Sequence, residues 1–137
     1  MSPLDLLLRP VGVVRSELRD RQRAPMQGSE GAPDAWIELL PDVLPAASGL
    51  APGDEVVLLT WLHQADRSVL AVHPRSDPAR PITGVFSTRS PDRPNPIGLH
   101  RVRVLAVDGS RVRVGPLEAI EGTPVLDLKP LLKGDGT

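Results

Sequence analysis

Leu99-His100-Arg101-Val102-Arg103-Val104-Leu105-Ala106-Val107-Asp108-Gly109-Ser110-Arg111-Val112-Arg113-Val114 is the stretch whose reading decides the fold. From Leu99 to Val107 the side chains alternate. Val102, Val104 and Ala106 take one face; Arg101, Arg103 and Leu105 take the other. A period of two is that of a half-buried strand. Asp108-Gly109 follows, a tight-turn dipeptide in which glycine accepts the positive φ of a short hairpin. The chain then returns with Val112 and Val114 on one face and Arg111 and Arg113 on the other. The hairpin therefore has an apolar face to bury, and its four arginines are able to share the opposite face.

Working outward, the rest of the chain is a series of short strand signals separated by turns. Leu8 to Glu17 alternates loosely and is rich in valine. Trp36 to Leu40 is a short strand candidate, and Pro41 to Leu50 has room for one helical turn. Pro52-Gly53-Asp54 marks a turn. Glu55 to His63 contains the apolar run Val56-Val57-Leu58-Leu59-Thr60-Trp61-Leu62, short and β-branched at its start, and reads as a buried strand. Ser68 to His73 is a candidate hairpin partner for it across Gln64 to Arg67. Thr123 to Lys129 is the last strand, and the tail Gly134-Asp135-Gly136-Thr137 is predicted to be disordered. The chain has 12 glycines and 16 prolines and lacks sustained helical periodicity. The expected fold class is all-β: a small closed or partly open β-barrel with long loops and at most one or two short helical turns. At 137 residues it is expected to form a single domain, 1–137, with its core over about 7–132.

Gly84-Val85-Phe86-Ser87-Thr88-Arg89-Ser90-Pro91-Asp92-Arg93-Pro94-Asn95-Pro96-Ile97-Gly98-Leu99 precedes the hairpin. It begins and ends like a strand. Pro91, Pro94 and Pro96 fix their own φ and restrict the residues before them, so the loop between has few conformations. Arg89, Arg93 and Asn95 are thus ordered before a ligand arrives, as a preorganised polar site requires. A rigid crossover carrying solvated arginines is the competing reading.

The net charge is −1, so no global field draws the chain to nucleic acid or membrane. Locally, Arg80 to Arg103 holds five arginines and one acid, a net of +4 that leaves −5 for the remainder. That pattern suits an anionic ligand or an RNA surface, and equally a solvated basic strand pair. The chain has no cysteine, which excludes disulfides, zinc–thiolate centres and thiol catalysis. Met1 to Pro10 has the run Leu6-Leu7-Leu8 without a basic n-region or a long apolar core, and is not read as a signal peptide. No apolar run approaches the roughly 20 residues that span a bilayer. With only Trp36, Trp61 and Phe86 as aromatics, few rings are on hand to stack nucleobases.

No dinucleotide-binding glycine motif or P-loop occurs. His63, His73 and His100 lie in separate segments, so no metal site is expected. A G-x-S-x-G elbow is absent, and Ser87 and Ser90 read as turn residues. What remains are polar residues at strand ends and loops. His63-Gln64 closes a buried strand, either as a hydrogen-bonded structural pair or as a functional one. Glu118 and Glu121 flank Ala119-Ile120 ahead of Gly122-Thr123-Pro124, where they could cap turns or accept protons from a ligand. Asp127 and Lys129 share one strand face and read as an ion pair.

The proline loop, followed by Glu121-Gly122-Thr123-Pro124-Val125-Leu126-Asp127-Leu128-Lys129-Pro130, resembles the TrmO family, also called YaeB-like or TsaA-like. The pattern G-V-F-x-T-R-S…R-P-N-P-I-G, then [DE]-G-T-P-V-x-D-x-K-P, is long and specific. Pro10 to Ser16 is similar to the family's opening strand and His63-Gln64 to its H-Q pair, so the resemblance covers roughly residues 7 to 132. It is closest in form to members without the additional C-terminal domain. The resemblance implies a cytoplasmic, S-adenosylmethionine-dependent methyltransferase on a β-barrel. Its acceptor would be the N6 nitrogen of threonylcarbamoyladenosine beside the tRNA anticodon. It also implies a homodimer with the cofactor near the interface. The cofactor positions so implied are Gln27, Gly28, Ser29, His63, Gln64, Arg89, Leu99, Glu118, Ala119, Ile120 and Glu121. Asp127, Glu121 and His63 are the candidate bases. A non-catalytic barrel that binds S-adenosylmethionine or RNA is the alternative.

Overall fold

The computed structural model describes residues 4–21 and 24–132. The predicted tail, Gly134 to Thr137, lies outside them. Eight strands are present among the described residues: β1 (Gly12–Arg15), β2 (Ala35–Leu39), β3 (Glu55–Trp61), β4 (Ala71–Val72), β5 (Thr83–Gly84), β6 (Ile97–Asp108), β7 (Arg111–Gly115) and β8 (Pro124–Pro130). Six close into a barrel in the order β1-β2-β7-β6-β3-β8. β8 returns to β1 through Gly12 opposite Val125. The helical content among the described residues is four short 3-10 segments, the longest Pro41–Ala47 where a helical turn was expected.

The barrel follows from the alternation. In β6, Gly98, His100, Val102 and Val104 point inward and are buried, while Ile97, Leu99, Arg101 and Arg103 point outward. In β7, Val112 and Val114 are buried between exposed Arg111 and Arg113. Val14, Ile37, Leu58, Val104, Val112, Val114 and Val125 fill the interior, all with no exposed surface. Branched side chains dominate, as suits a narrow barrel whose wall is one residue thick. The hairpin β6–β7 turns at Gly109, whose φ of 59° is the positive value expected there. A register shift between Val104 and Ala106 leaves Ala106 opposite Arg113, so the alternation slips near the turn.

One expectation is corrected. Ser68 to His73 does not pair with β3. Both edges of β3 are taken, by β6 and β8. The segment after β3 is instead drawn onto the proline loop. Asp92 accepts from the Asp66 amide at 2.8 Å and Arg67 donates to Pro94 O at 2.7 Å. Ala71–Val72 then pairs with Thr83–Gly84 as a separate two-stranded arm. The charge on the hairpin is shared across the surface. The four hairpin arginines do lie on the outer face, but acids from distant segments meet them. Arg103 is 2.9 Å from Glu55 and Arg113 is 3.2 Å from Asp34. Arg111 lies over the Trp36 ring, 4.4 Å from its centroid. Within the +4 linear stretch, Arg103 and Arg80 meet Glu55 and Asp77, while its one acid, Asp92, meets Arg21.

Candidate functional site

A cleft of about 750 Å³ lies on the outer face of β6 and β7. That is the size range of small-molecule sites. Several separate segments reach it, among them Gln27, Gly28 and Ser29 from the first long loop, Glu55 from β3, Arg89 from the proline loop, Leu99 from β6, and Glu118 from the loop between β7 and β8.

Each segment is held by its own local chemistry. Gln27 precedes the 3-10 turn Gly28–Glu30, which closes on Gly31 at φ 97°. Arg75 pairs with Glu30 and holds its carboxyl below the usual range. The turn thereby gains an anchor outside the barrel. Gly28 is needed for close packing: a Cβ there would sit 2.9 Å from Pro116 O and 3.2 Å from Glu118 Oε2.

The proline loop is braced from within. Arg93 donates to the carbonyls of Val85 and Thr88, the latter at 2.7 Å. Asn95 Oδ1 accepts from Arg67 at 3.0 Å. Ser90 is a turn residue, its amide donating to Thr88 Oγ1 at 3.2 Å. Of the three polar residues singled out on this loop, Arg93 is an internal strut and Asn95 ties the loop to Arg67 outside it. Arg89 lines the cleft, and its contact to Leu99 O is long, 3.4 Å. Its guanidinium is exposed, with donors to offer a ligand.

Glu118 is positioned from beneath. Its Oε1 lies 2.5 Å from His100 Nδ1, and His100 Nε2 lies 2.7 Å from Thr60 Oγ1. His100 is 4 % exposed and Thr60 is fully buried. In the sequence His100 stands out only as one of three scattered histidines. Its signal was its phase: it shares the inward face of β6 with Val102 and Val104, where a polar ring must find partners.

The other sequence-derived positions lie elsewhere. His63 and Gln64 are exposed beyond the end of β3, where Gln64 O accepts from Arg21 at 2.6 Å. Ala119 and Ile120 are buried at 4 % and 7 %, their side chains directed into packing. Glu121 uses both oxygens, on Arg15 at 2.8 Å and on the Ser16 amide at 2.9 Å. The Arg15 hydrogen bond, then the Ser16 N–H, hold its carboxyl below the usual range. Asp127 pairs with Lys129 at 3.1 Å and caps the Leu128 amide. Asp127 lines a second cleft, of about 740 Å³, at the end of the barrel plugged by Pro41–Ala47. None of the three candidate bases, Asp127, Glu121 and His63, lines the cleft that holds Arg89 and Glu118.

Among the described residues no group of three or more His, Cys, Asp or Glu could hold a metal ion. No helix among them is long and apolar enough to cross a membrane.

Comparison with known proteins is consistent across sequence and structure. A "Probable S-adenosyl-L-methionine-binding protein" of Methanothermobacter thermautotrophicus is 45% identical over 130 residues, covering 95% of this chain and 93% of the relative. An "S-adenosyl-L-methionine-binding protein" of Archaeoglobus fulgidus is 36% identical over 124 residues, 90% of this chain and 88% of that one. The crystal structure of TrmO from Pseudomonas aeruginosa superposes with a TM-score of 0.77 at 31% identity. That match takes in 99% of this chain but 59% of the TrmO chain. The family model of the tRNA-methyltransferase O N-terminal domain matches residues 13–134, and this chain belongs to that family.

Proposed function

We propose that this protein is an S-adenosylmethionine-dependent tRNA methyltransferase whose acceptor is the N6 nitrogen of threonylcarbamoyladenosine beside the anticodon. The observation that carries the reading is the convergence of Gln27, Gly28, Ser29, Arg89, Leu99 and Glu118 on one cleft. The names of the relatives support the cofactor, and the family supports the reaction class.

The residues fit the cofactor chemically. A guanidinium, a carboxylate and an amide side chain in one cleft complement a zwitterionic amino acid joined to a ribose diol. Arg89 is placed to clamp a carboxylate with two parallel N–H donors. Glu118, fixed by His100, accepts from a hydroxyl or an ammonium. The close approach of Gly28 to Pro116 and Glu118 leaves backbone rather than side chain at the cleft floor. Leu99, 45 % exposed, offers an apolar face to an adenine in place of an aromatic ring. Bound there, S-adenosylmethionine supplies an electrophilic methyl group. The acceptor nitrogen is conjugated with a carbonyl and is a poor nucleophile, so removal of its proton assists transfer. Glu118 is committed to the cofactor in this reading and does not serve as that base. Asp34 and Glu55 line the same cleft but are paired with Arg113 and Arg103. The rest of the rate enhancement is alignment, a proximity effect worth several kcal/mol.

The homodimer belongs to the same proposal. The two-stranded arm β4–β5 carries Leu70, Ile82 and Phe86 at 69%, 67% and 86% exposure, apolar surface that a second copy would cover.

A non-catalytic binding module is the second reading. It is favoured by the relatives' names, which state binding. Incubation with methyl-labelled S-adenosylmethionine and tRNA bearing threonylcarbamoyladenosine separates the two. Label in the tRNA, lost in Arg89→Ala, supports the enzyme; saturable cofactor binding without transfer to any tRNA supports the module.

A further inference from the structure

The chain Thr60–His100–Glu118 runs from the fully buried interior of the barrel to the wall of the proposed cofactor cleft. It joins three strands' worth of architecture: Thr60 on β3, His100 on β6, and Glu118 after β7. The backbone is shaped around it. A Cβ at Gly98 would lie 2.4 Å from Thr60 Oγ1 and 2.6 Å from His100 Nε2, so only glycine leaves room for the Thr60–His100 contact. Inside an apolar core each polar group must be partnered, and a histidine there needs a defined tautomer.

We propose that His100 is a positioning residue for Glu118: with Thr60 bound to its Nε2, the ring presents Nδ1–H to Glu118 Oε1 and fixes that carboxylate, ionised and acceptor-only, with Oε2 left for a ligand's hydroxyl or ammonium. The inference deepens the reading of the cleft as the S-adenosylmethionine site and rests on it. The geometry for it is complete in the protein alone. Thr60 Oγ1 is 2.7 Å from Nε2 and Glu118 Oε1 is 2.5 Å from Nδ1, both within hydrogen-bond range. Glu118 Oε2 is the oxygen that faces Gly28, a lining residue of the cleft. Glu118 is held by a ring rather than by an arginine, unlike Glu121 three residues on, so one oxygen stays available.

Two measurements test it. Imidazole nitrogen NMR on the ligand-free protein reads the tautomer directly. A proton on Nδ1, in the neutral ring or the imidazolium, supports the inference. A neutral ring protonated on Nε2 alone, which would require a protonated Glu118, overturns it. Calorimetric titration of S-adenosylmethionine then compares His100→Ala, His100→Asn and Glu118→Ala. His100→Ala is expected to weaken affinity about tenfold, the scale of one hydrogen bond to a charged group. His100→Asn, whose side-chain N–H replaces Nδ1–H, is expected to recover most of that loss. Added to Glu118→Ala, His100→Ala is expected to cost nothing further. A loss of the same size in both backgrounds, or no loss in either, overturns the positioning role. Failure of the unsubstituted protein to bind overturns the cofactor reading and the ligand-directed part of this inference with it. The tautomer measurement still decides the Thr60–His100–Glu118 chain independently.

Discussion

The two clefts of this barrel differ little in volume, about 750 and 740 Å³, yet differ in what they can bind. The one at the plugged end of the barrel is walled by Val11, Leu39, Val43, Leu50 and Val56, and its charges are engaged: Asp127 with Lys129 at 3.1 Å, Glu55 with Arg103 at 2.9 Å, and Asp54 with the Ala51 amide at 2.9 Å. The one on the outer face of β6 and β7 holds Arg89, whose contact is long, and Glu118, whose second oxygen faces the cleft. Size alone does not mark a site; polar groups with bonding capacity to spare do. Glu118 and Glu121 repeat the lesson within one loop. Glu121 spends both oxygens on Arg15 and Ser16 and acts as a clamp.

The largest expected effect tests what the two clefts share. Leu58 is fully buried on β3, between the strands that border each cleft. Leu58→Ala is expected to cost about 2–5 kcal/mol of stability. Chemical denaturation checks this, and an unchanged midpoint would break the picture of one common core. Gly98→Ala comes next, at about 1–3 kcal/mol, because the added methyl overlaps Thr60 and His100. It should also weaken S-adenosylmethionine binding in titration, whereas Leu58→Ala acts on stability alone. Arg89→Ala against Lys129→Ala sharpens the contrast between the clefts directly. The first is expected to reduce cofactor affinity about tenfold or more, the second by less than about twofold. Equal losses would erase the distinction.

The smallest effect concerns acid stability. Arg15, and then the Ser16 amide, hold the folded Glu121 carboxyl below its ordinary value of 4.5. Its stabilisation is therefore present above pH 4.5 and is lost as pH falls through the lower folded value. Glu121→Gln is expected to lower thermal stability modestly at neutral pH and to flatten its decline in acid. A melting series from pH 7 to pH 3 is the check; parallel curves would remove Glu121 from its clamping role.

Alternation in β6 and β7, the Asp108-Gly109 turn and the density of glycine and proline were enough to read an all-β barrel. A strand's period and a turn's φ are local properties, so the residues themselves determine them. Strand partners are not local. Ser68 to His73 was legible as extended chain, but that β3 had no free edge to offer depended on β6 and β8 closing around it. The basic stretch was legible as charge, but that Arg103 meets Glu55 and Asp92 meets Arg21 required the fold to bring them across the surface. The motif residues Arg89, Leu99 and Glu118 were legible through resemblance. That they share a cleft with Gln27 to Ser29, while Glu121 is spent on Arg15 and Ser16, was decided by tertiary structure; the Asp127–Lys129 pair was already legible from its spacing. His100 marks the boundary between the two. Its inward phase is written in the sequence, whereas its partners lie 40 and 18 residues away and meet it only when the barrel closes.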